Sequence, residues 1–114
     1  MVICLLSFWL LAGRLIASPA DDGRKAFESG DYKKAYKLLT KAAKKSKDPL
    51  EKADLFVMAG ASAAKMGKKK GAKSRFGKAL KLNPDVSLPA AVASDSKVKK
   101  YFASAQRKFN RSGL

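Results

Sequence analysis

The sequence predicts an all-α protein, and two features of the chain support that prediction. From Asp21 onward, apolar residues recur at positions i, i+3, i+4 and i+7, which is the spacing of one helix face, and no segment shows the alternation of a half-buried strand. The breaks between these stretches fall at glycine or at proline preceded by a polar residue, both typical helix boundaries. We therefore expect helices joined by short turns.

The N-terminal segment differs from the rest of the chain. Residues 1–13, MVICLLSFWLLAG, are apolar apart from Ser7, and this signal-like helix is shorter than the ~20 apolar residues that span a bilayer. Ser18 and Ala20 follow with the small-residue spacing of a cleavage site, so residues 1–20 are predicted to be a cleaved secretory signal. An uncleaved anchor and an apolar helix packed in the core are the alternatives. Cleavage would remove the single Cys, leaving no disulfide.

Four helices are predicted between Asp21 and Pro84. The first ends at Gly30, the second stops at Asp48-Pro49, the third ends at Gly67 and the fourth at Asn83-Pro84. The apolar stripes of the four helices are Ala26 and Phe27; Ala35, Leu38, Leu39, Ala42 and Ala43; Leu55, Phe56, Met58, Ala59, Ala63 and Met66; and Ala72, Phe76, Ala79, Leu80 and Leu82. Lysines occupy the opposite face of the second helix, as expected for an amphipathic helix.

The C-terminal part is predicted to be a connector followed by one helix. Residues 85–94 contain a proline and small residues, so they are predicted to be extended. Asp95 or Ser96 is a suitable N-cap for a last helix over residues 95–110. The apolar stripe of that helix is Val98, Phe102, Ala105 and Phe109.

The four central helices form two matching pairs. Gly30, Ala35, Leu39 and Ala42 recur as Gly67, Ala72, Phe76 and Ala79, each displaced by 37 residues. A repeat of this length indicates a helix pair that buries its apolar face by stacking on a neighbouring pair.

The repeat resembles the tetratricopeptide repeat (TPR) family. In the second unit the resemblance rests on Phe56, Gly60, Ala63, Gly67, Ala72, Phe76, Ala79 and Pro84, and in the first on Gly23, Gly30-Asp31-Tyr32, Ala35, Leu39 and Ala42. It implies two TPR-like hairpins, at about 21–49 and 53–84, with the helix after the connector as a cap. The family repeat has 34 residues, and the three extra residues here are expected in a longer connection near residues 50–52.

The resemblance also implies a partner-binding groove. In this family the first helix of each unit lines a concave surface that takes extended peptides. By position, that surface would contain Arg24, Phe27, Glu28, Asp54, Val57, Ala61, Ala64 and Lys65. The alternative is that the small residues simply pack against a third helix.

The chain is strongly basic, with 25 Lys and Arg residues against 9 Asp and Glu residues. The predicted basic patch is Lys68, Lys69, Lys70 and Lys73, at the turn of the second unit. It either keeps the surface soluble or attracts an acidic protein or an anionic surface. Nucleic acid is not an expected partner, because lysines outnumber arginines by 20 to 5 and arginine is preferred for bidentate phosphate recognition.

Nothing in the sequence indicates a cofactor or a catalytic site. Residues 67–74, GKKKGAKS, look like a phosphate-binding loop, but Ala72 stands where the second glycine is required and a helix is predicted where the loop needs a strand. The chain has no His, and no carboxylate cluster suggests a metal site. We therefore expect a noncatalytic, exported adaptor of the cell envelope that binds a protein or peptide. One alternative is a lysine-rich protein that binds a polyanion, namely anionic lipid, a cell-wall polymer or nucleic acid. The other is a self-associating protein.

Overall fold

The computed structural model describes residues 18–113, and this part of the chain is all-helical, as predicted. The five helices are α1 (Pro19–Ser29), α2 (Tyr32–Lys45), α3 (Pro49–Lys65), α4 (Lys69–Leu82) and α5 (Ser96–Gly113). No strand occurs between residues 18 and 113. Most of the predicted signal segment, residues 1–17, lies outside the described residues. Its last three residues are described: Ser18 accepts a hydrogen bond from the Asp21 amide at 3.4 Å and caps α1, and Ala20 is buried.

Helix α3 is the centre of the described fold. Each helix packs on the next one in the chain, and α3 in addition contacts both α1 and α5. A helix with neighbours on every side must be apolar on every side. Accordingly, from Leu55 to Ala64 only Met58 keeps more than slight exposure.

The two helix pairs share the same turn. Gly30 and Gly67 take the left-handed conformation, with φ of 87° and 77°, which glycine adopts without the steric cost of a Cβ. The following amide in each turn bonds back to the preceding helix, from Asp31 N to Ala26 O at 2.9 Å and from Lys68 N to Ala63 O at 2.8 Å. These bonds are those of a Schellman motif, so the predicted helix ends at Gly30 and Gly67 are confirmed.

In both pairs, the two helices also approach each other closely at a glycine. A Cβ added to Gly23 would lie 2.8 Å from the Leu39 side chain, and a Cβ added to Gly60 would lie 2.7 Å from the Phe76 ring. Both distances are shorter than real Cβ contacts. Gly60 stands 37 residues after Gly23, and Phe76 stands 37 residues after Leu39. The sequence repeat therefore corresponds to a repeated packing contact.

The last helix, predicted over residues 95–110, continues to Gly113, and two segments predicted to be connections also differ from the prediction. Residues 50–52 were expected in a longer connection, but they form the first turn of α3, because Asp48 caps that helix and Pro49 occupies its first position. Proline suits that position since the amide it lacks has no partner there. The connector is not simply extended either: residues 90–94 form successive turns, and Val86 and Val92 are buried in the core.

We predict that Gly60→Ala destabilises the protein by about 1–2 kcal/mol. Alanine gains up to about 1 kcal/mol of helix propensity over glycine, but the new methyl group would collide with the fully buried Phe76 ring, and overpacking costs about 1–3 kcal/mol. Urea unfolding followed by circular dichroism measures the change.

Gly77→Ala is the matched control, because nothing lies within 4 Å of a Cβ at that helical position. It should stabilise the protein by about 0.5–1 kcal/mol. An equal increase in the free energy of unfolding of both variants would show that the contact between α3 and α4 has room for a methyl group.

Candidate binding cleft

An open cleft of about 660 Å³ lies between α4 and α5. Its cationic lining residues are Lys70, Lys73, Lys78 and Lys81 from α4 and Lys108 and Arg111 from α5. The remaining lining residues are Ser74, Gly77, Ser104, Ala105 and Phe109. We refer to this site as the basic cleft.

The basic cleft carries charge of one sign. None of its lining residues is acidic, and neither residues 69–82 nor residues 96–113 contain an Asp or Glu. Within the described range, Lys70, Lys73 and Lys81 have no carboxylate within ion-pair distance. Their charges are therefore balanced by solvent ions, which an anionic ligand can replace.

The floor of the cleft is apolar. Ala105 is buried and Phe109 is half-buried. The buried rings of Phe76 in α4 and Phe102 in α5 meet edge to face, with centroids 5.1 Å apart, an arrangement preferred by aromatic pairs. This contact joins the two helices that form the cleft.

Asp95 fixes the start of α5. Its Oδ1 accepts hydrogen bonds from the amides of Lys97 and Val98 at 3.0 and 3.1 Å, so Asp95, rather than Ser96, is the N-cap of the two that were predicted. Its Oδ2 lies 2.7 Å from Nζ of Lys65 at the end of α3. The hydrogen bond from Lys65, and then that from the Val98 amide, lower the pKa of Asp95, and the same hydrogen bond to Asp95 raises the pKa of Lys65.

A tyrosine fixes α4 against α2. The guanidinium of Arg75 lies 5.1 Å from the Tyr36 ring centroid and the ammonium of Lys68 lies 5.9 Å from it. Arg75 also donates a hydrogen bond from Nε to Oγ1 of Thr40 at 3.4 Å. Cation–π contacts of this kind contribute about 0.5–1 kcal/mol at partly exposed sites, and here they connect α4 to α2 through side chains.

The four lysines of the predicted basic patch do not all lie at the same site. Lys70 and Lys73 line the basic cleft, whereas Lys68 lies over Tyr36 and Lys69 is exposed at the start of α4 without lining the cleft. The structure therefore brings together only two of the four predicted residues and combines them with four further cations.

The predicted groove residues lie elsewhere. Phe27, Val57, Ala61 and Ala64 are buried and offer no open surface to a partner in this structure. The reason is the central position of α3, which has helices on all sides. Glu28, Asp54 and Lys65 are exposed and Arg24 is half-buried; of these, Lys65 is engaged with Asp95 and lies 5.6 Å from the Tyr32 ring centroid.

The sequence prediction missed Lys78, Lys81, Lys108 and Arg111 as site residues. The sequence did contain an indication of this site. Neither of the last two helices has an acidic residue, so all of their charged side chains are positive. The apolar member of the site, Phe109, was predicted only as part of the core stripe of α5.

Comparison of the chain with protein-family models, curated proteins and solved structures found no match. None of the helices between residues 18 and 113 has both the length and the apolar character needed to cross a membrane. In the same range, no three His, Cys, Asp or Glu residues are grouped as metal ligands would be. Any function assigned to this chain must therefore be argued from the geometry of the basic cleft and the charged helix faces.

We predict that Asp95→Asn destabilises the protein slightly at neutral pH, by less than about 1 kcal/mol, because the ion pair is partly exposed. Asparagine is also a good N-cap, so this variant removes the charge and keeps the cap. Since the pKa of Asp95 is lowered in the fold, the stability from the pair is present above its ordinary value of 3.8 and is lost as pH falls through the lowered value.

Urea unfolding of both proteins as a function of pH tests this expectation. The difference should disappear at pH values below the lowered pKa. A difference that persists there would mean that asparagine perturbs the cap itself. Asp95→Ala is the second variant and should cost about 1 kcal/mol more, because it removes the cap as well.

Proposed function

We propose that the protein is a noncatalytic, TPR-like binding protein whose basic cleft holds an extended acidic segment of a partner protein. The observation that carries the proposal is the cleft lining, which combines six cations with an apolar floor and contains no acidic residue. Acidic side chains of a bound segment would meet the lysines, and an apolar side chain would contact Phe109.

The repeated helix pairs support the TPR-like part of the proposal. The equivalent turns at Gly30 and Gly67, and the equivalent contacts of Gly23 with Leu39 and Gly60 with Phe76, are what two such units require. Helix α5 packs against α4 and α3, which is the position of a helix that covers the last repeat. Terminal helices of this kind protect the apolar side of a repeat array.

The dimensions of the cleft favour a short extended peptide. Lys70 and Lys81 lie at the two ends of the α4 side of the cleft, and eleven residues of helix span about 16 Å. About five residues of extended chain cover that distance. A segment of this length could place acidic side chains on either side of one apolar residue.

The lining residues also explain why binding rather than catalysis is proposed. The basic cleft contains two serines but neither a histidine nor a carboxylate, the side chains that most often serve as the base for a serine. Lysine side chains are flexible, strongly hydrated point charges, so they suit electrostatic capture. Such capture speeds association and weakens as salt concentration rises.

Export to the cell envelope, with cleavage after Ala20, is also part of the proposal. It rests on the sequence of residues 1–20 alone, and cleavage there would remove the Ser18 cap and the buried Ala20 from the start of α1. Mass spectrometry of the protein recovered from its native source should give a chain that begins at Asp21. A mass that includes residues 1–20 would show that the segment is retained.

We predict that the triple variant Lys70→Gln/Lys73→Gln/Lys81→Gln binds an acidic peptide at least about tenfold more weakly. The probe is a fluorescein-labelled peptide of glutamates around one leucine, and the readout is fluorescence anisotropy. Each lost charge contact should cost about 0.5–1 kcal/mol. The variant should fold normally, because the three lysines make no contact with a carboxylate in the described range and glutamine has a similar helix propensity.

The matched control is Lys33→Gln/Lys37→Gln/Lys44→Gln, which removes the same charge from α2. It should change peptide affinity less than about threefold, because those lysines lie outside the cleft and are screened. An equal loss of peptide affinity in both variants would show that binding depends on net charge alone and would refute the cleft proposal. A single-stranded oligonucleotide of equal charge that binds more tightly than the peptide would assign the cleft to another class of ligand.

A further inference from the structure

Helix α2 presents a second cationic surface, separate from the basic cleft. Its lysines are Lys33, Lys34, Lys37, Lys41, Lys44 and Lys45, and all six are exposed. Lys47 continues the series in the following loop, and residues 32–47 contain no acidic residue. We refer to the six helical lysines as the α2 lysine face.

The lysines of α2 lie on one side of the helix. At 100° per residue, their positions fall within an arc of about 120°. The opposite side is fixed in the core through Ala35, Leu39, Ala42 and Ala43, which are buried. From Lys33 to Lys45, the α2 lysine face is a band about 18 Å long.

The α2 lysine face differs from the basic cleft in shape and in composition. No cleft residue belongs to α2, and the arc contains neither an arginine nor an aromatic side chain. Tyr36 and Leu38 stand outside the arc and are half-buried. The arc therefore offers a peptide no large apolar side chain to contact.

A lipid surface suits this face better than a nucleic acid does. The phosphates of a duplex have fixed positions, which proteins contact with arginine, hydroxyl, amide and backbone groups as well as lysine. Mobile lipid headgroups can adjust to any spacing of lysines, and lysine interacts with them as a point charge. Clusters of four to eight basic residues on an amphipathic helix are typical of binding to anionic lipids.

We propose that the α2 lysine face docks the protein on the surface of an anionic lipid bilayer. Helix α2 then lies along the membrane plane with its buried face still packed in the protein. The attachment is electrostatic, since no large apolar side chain lies within the arc to enter the hydrocarbon. This proposal does not depend on the ligand of the basic cleft.

Cosedimentation with vesicles tests the proposal. The protein should bind vesicles of phosphatidylcholine with phosphatidylserine and should not bind vesicles of phosphatidylcholine alone. Each lysine near an anionic surface increases partitioning about fivefold. The variant Lys33→Gln/Lys37→Gln/Lys44→Gln should therefore partition about 100-fold more weakly, with its helical circular dichroism unchanged.

The cleft variant Lys70→Gln/Lys73→Gln/Lys81→Gln has the same net charge and is the control. It should lower partitioning less than about fivefold, because charges that do not face the membrane are screened within about 8 Å. Equal losses in the two variants, or binding to neutral vesicles, would overturn the proposal. It would also be overturned if a short DNA duplex bound more tightly than the vesicles and lost its affinity in the α2 variant.

Discussion

The fold depends on the close approach of two helices at a glycine, which occurs once in each repeat. Gly23 leaves space for Leu39, and Gly60 leaves space for Phe76. The second contact also determines the site, because the Phe76 ring extends to Phe102 in α5. The position of α5, and with it the shape of the basic cleft, therefore depends on the Gly60 contact as well as on the ion pair of Lys65 with Asp95.

Close approach matters here because the core is built from small side chains. Among the described residues, 13 of the 24 buried apolar residues are alanines, each of which removes little surface from water. The dispersion contacts of such a core weaken quickly when a gap opens. At the same time the net charge of +16 opposes compaction through self-repulsion. The glycine contacts are thus the places where this protein has least tolerance for change.

The features that the sequence predicted are those that depend on local chemistry. The helix ends at Gly30 and Gly67 and the cap at Asp95 depend on a few neighbouring residues, and the 37-residue repeat predicted two matching helix pairs. The contact of Gly60 with Phe76 within the second pair was found only in the structure. The burial of Ala61 and Ala64 depends on the helices that surround α3, and the cleft depends on how α5 crosses α4. Lys70 and Arg111 share a site although they are distant in sequence, and no local pattern encodes that proximity.

The placement of the acidic residues explains how one basic protein acquires separate cationic surfaces. Asp31, Asp48 and Asp95 cap helices, and Asp21, Asp22 and Glu51 lie in first turns, where the helix dipole favours negative charge. Because most of the acidic residues lie at helix N-termini, the outward faces of α2 and α4 carry only positive charge. The surfaces differ in shape and in composition, since α4 is joined by α5 in a cleft with an apolar floor, whereas the α2 lysine face is a band of lysines along a single helix.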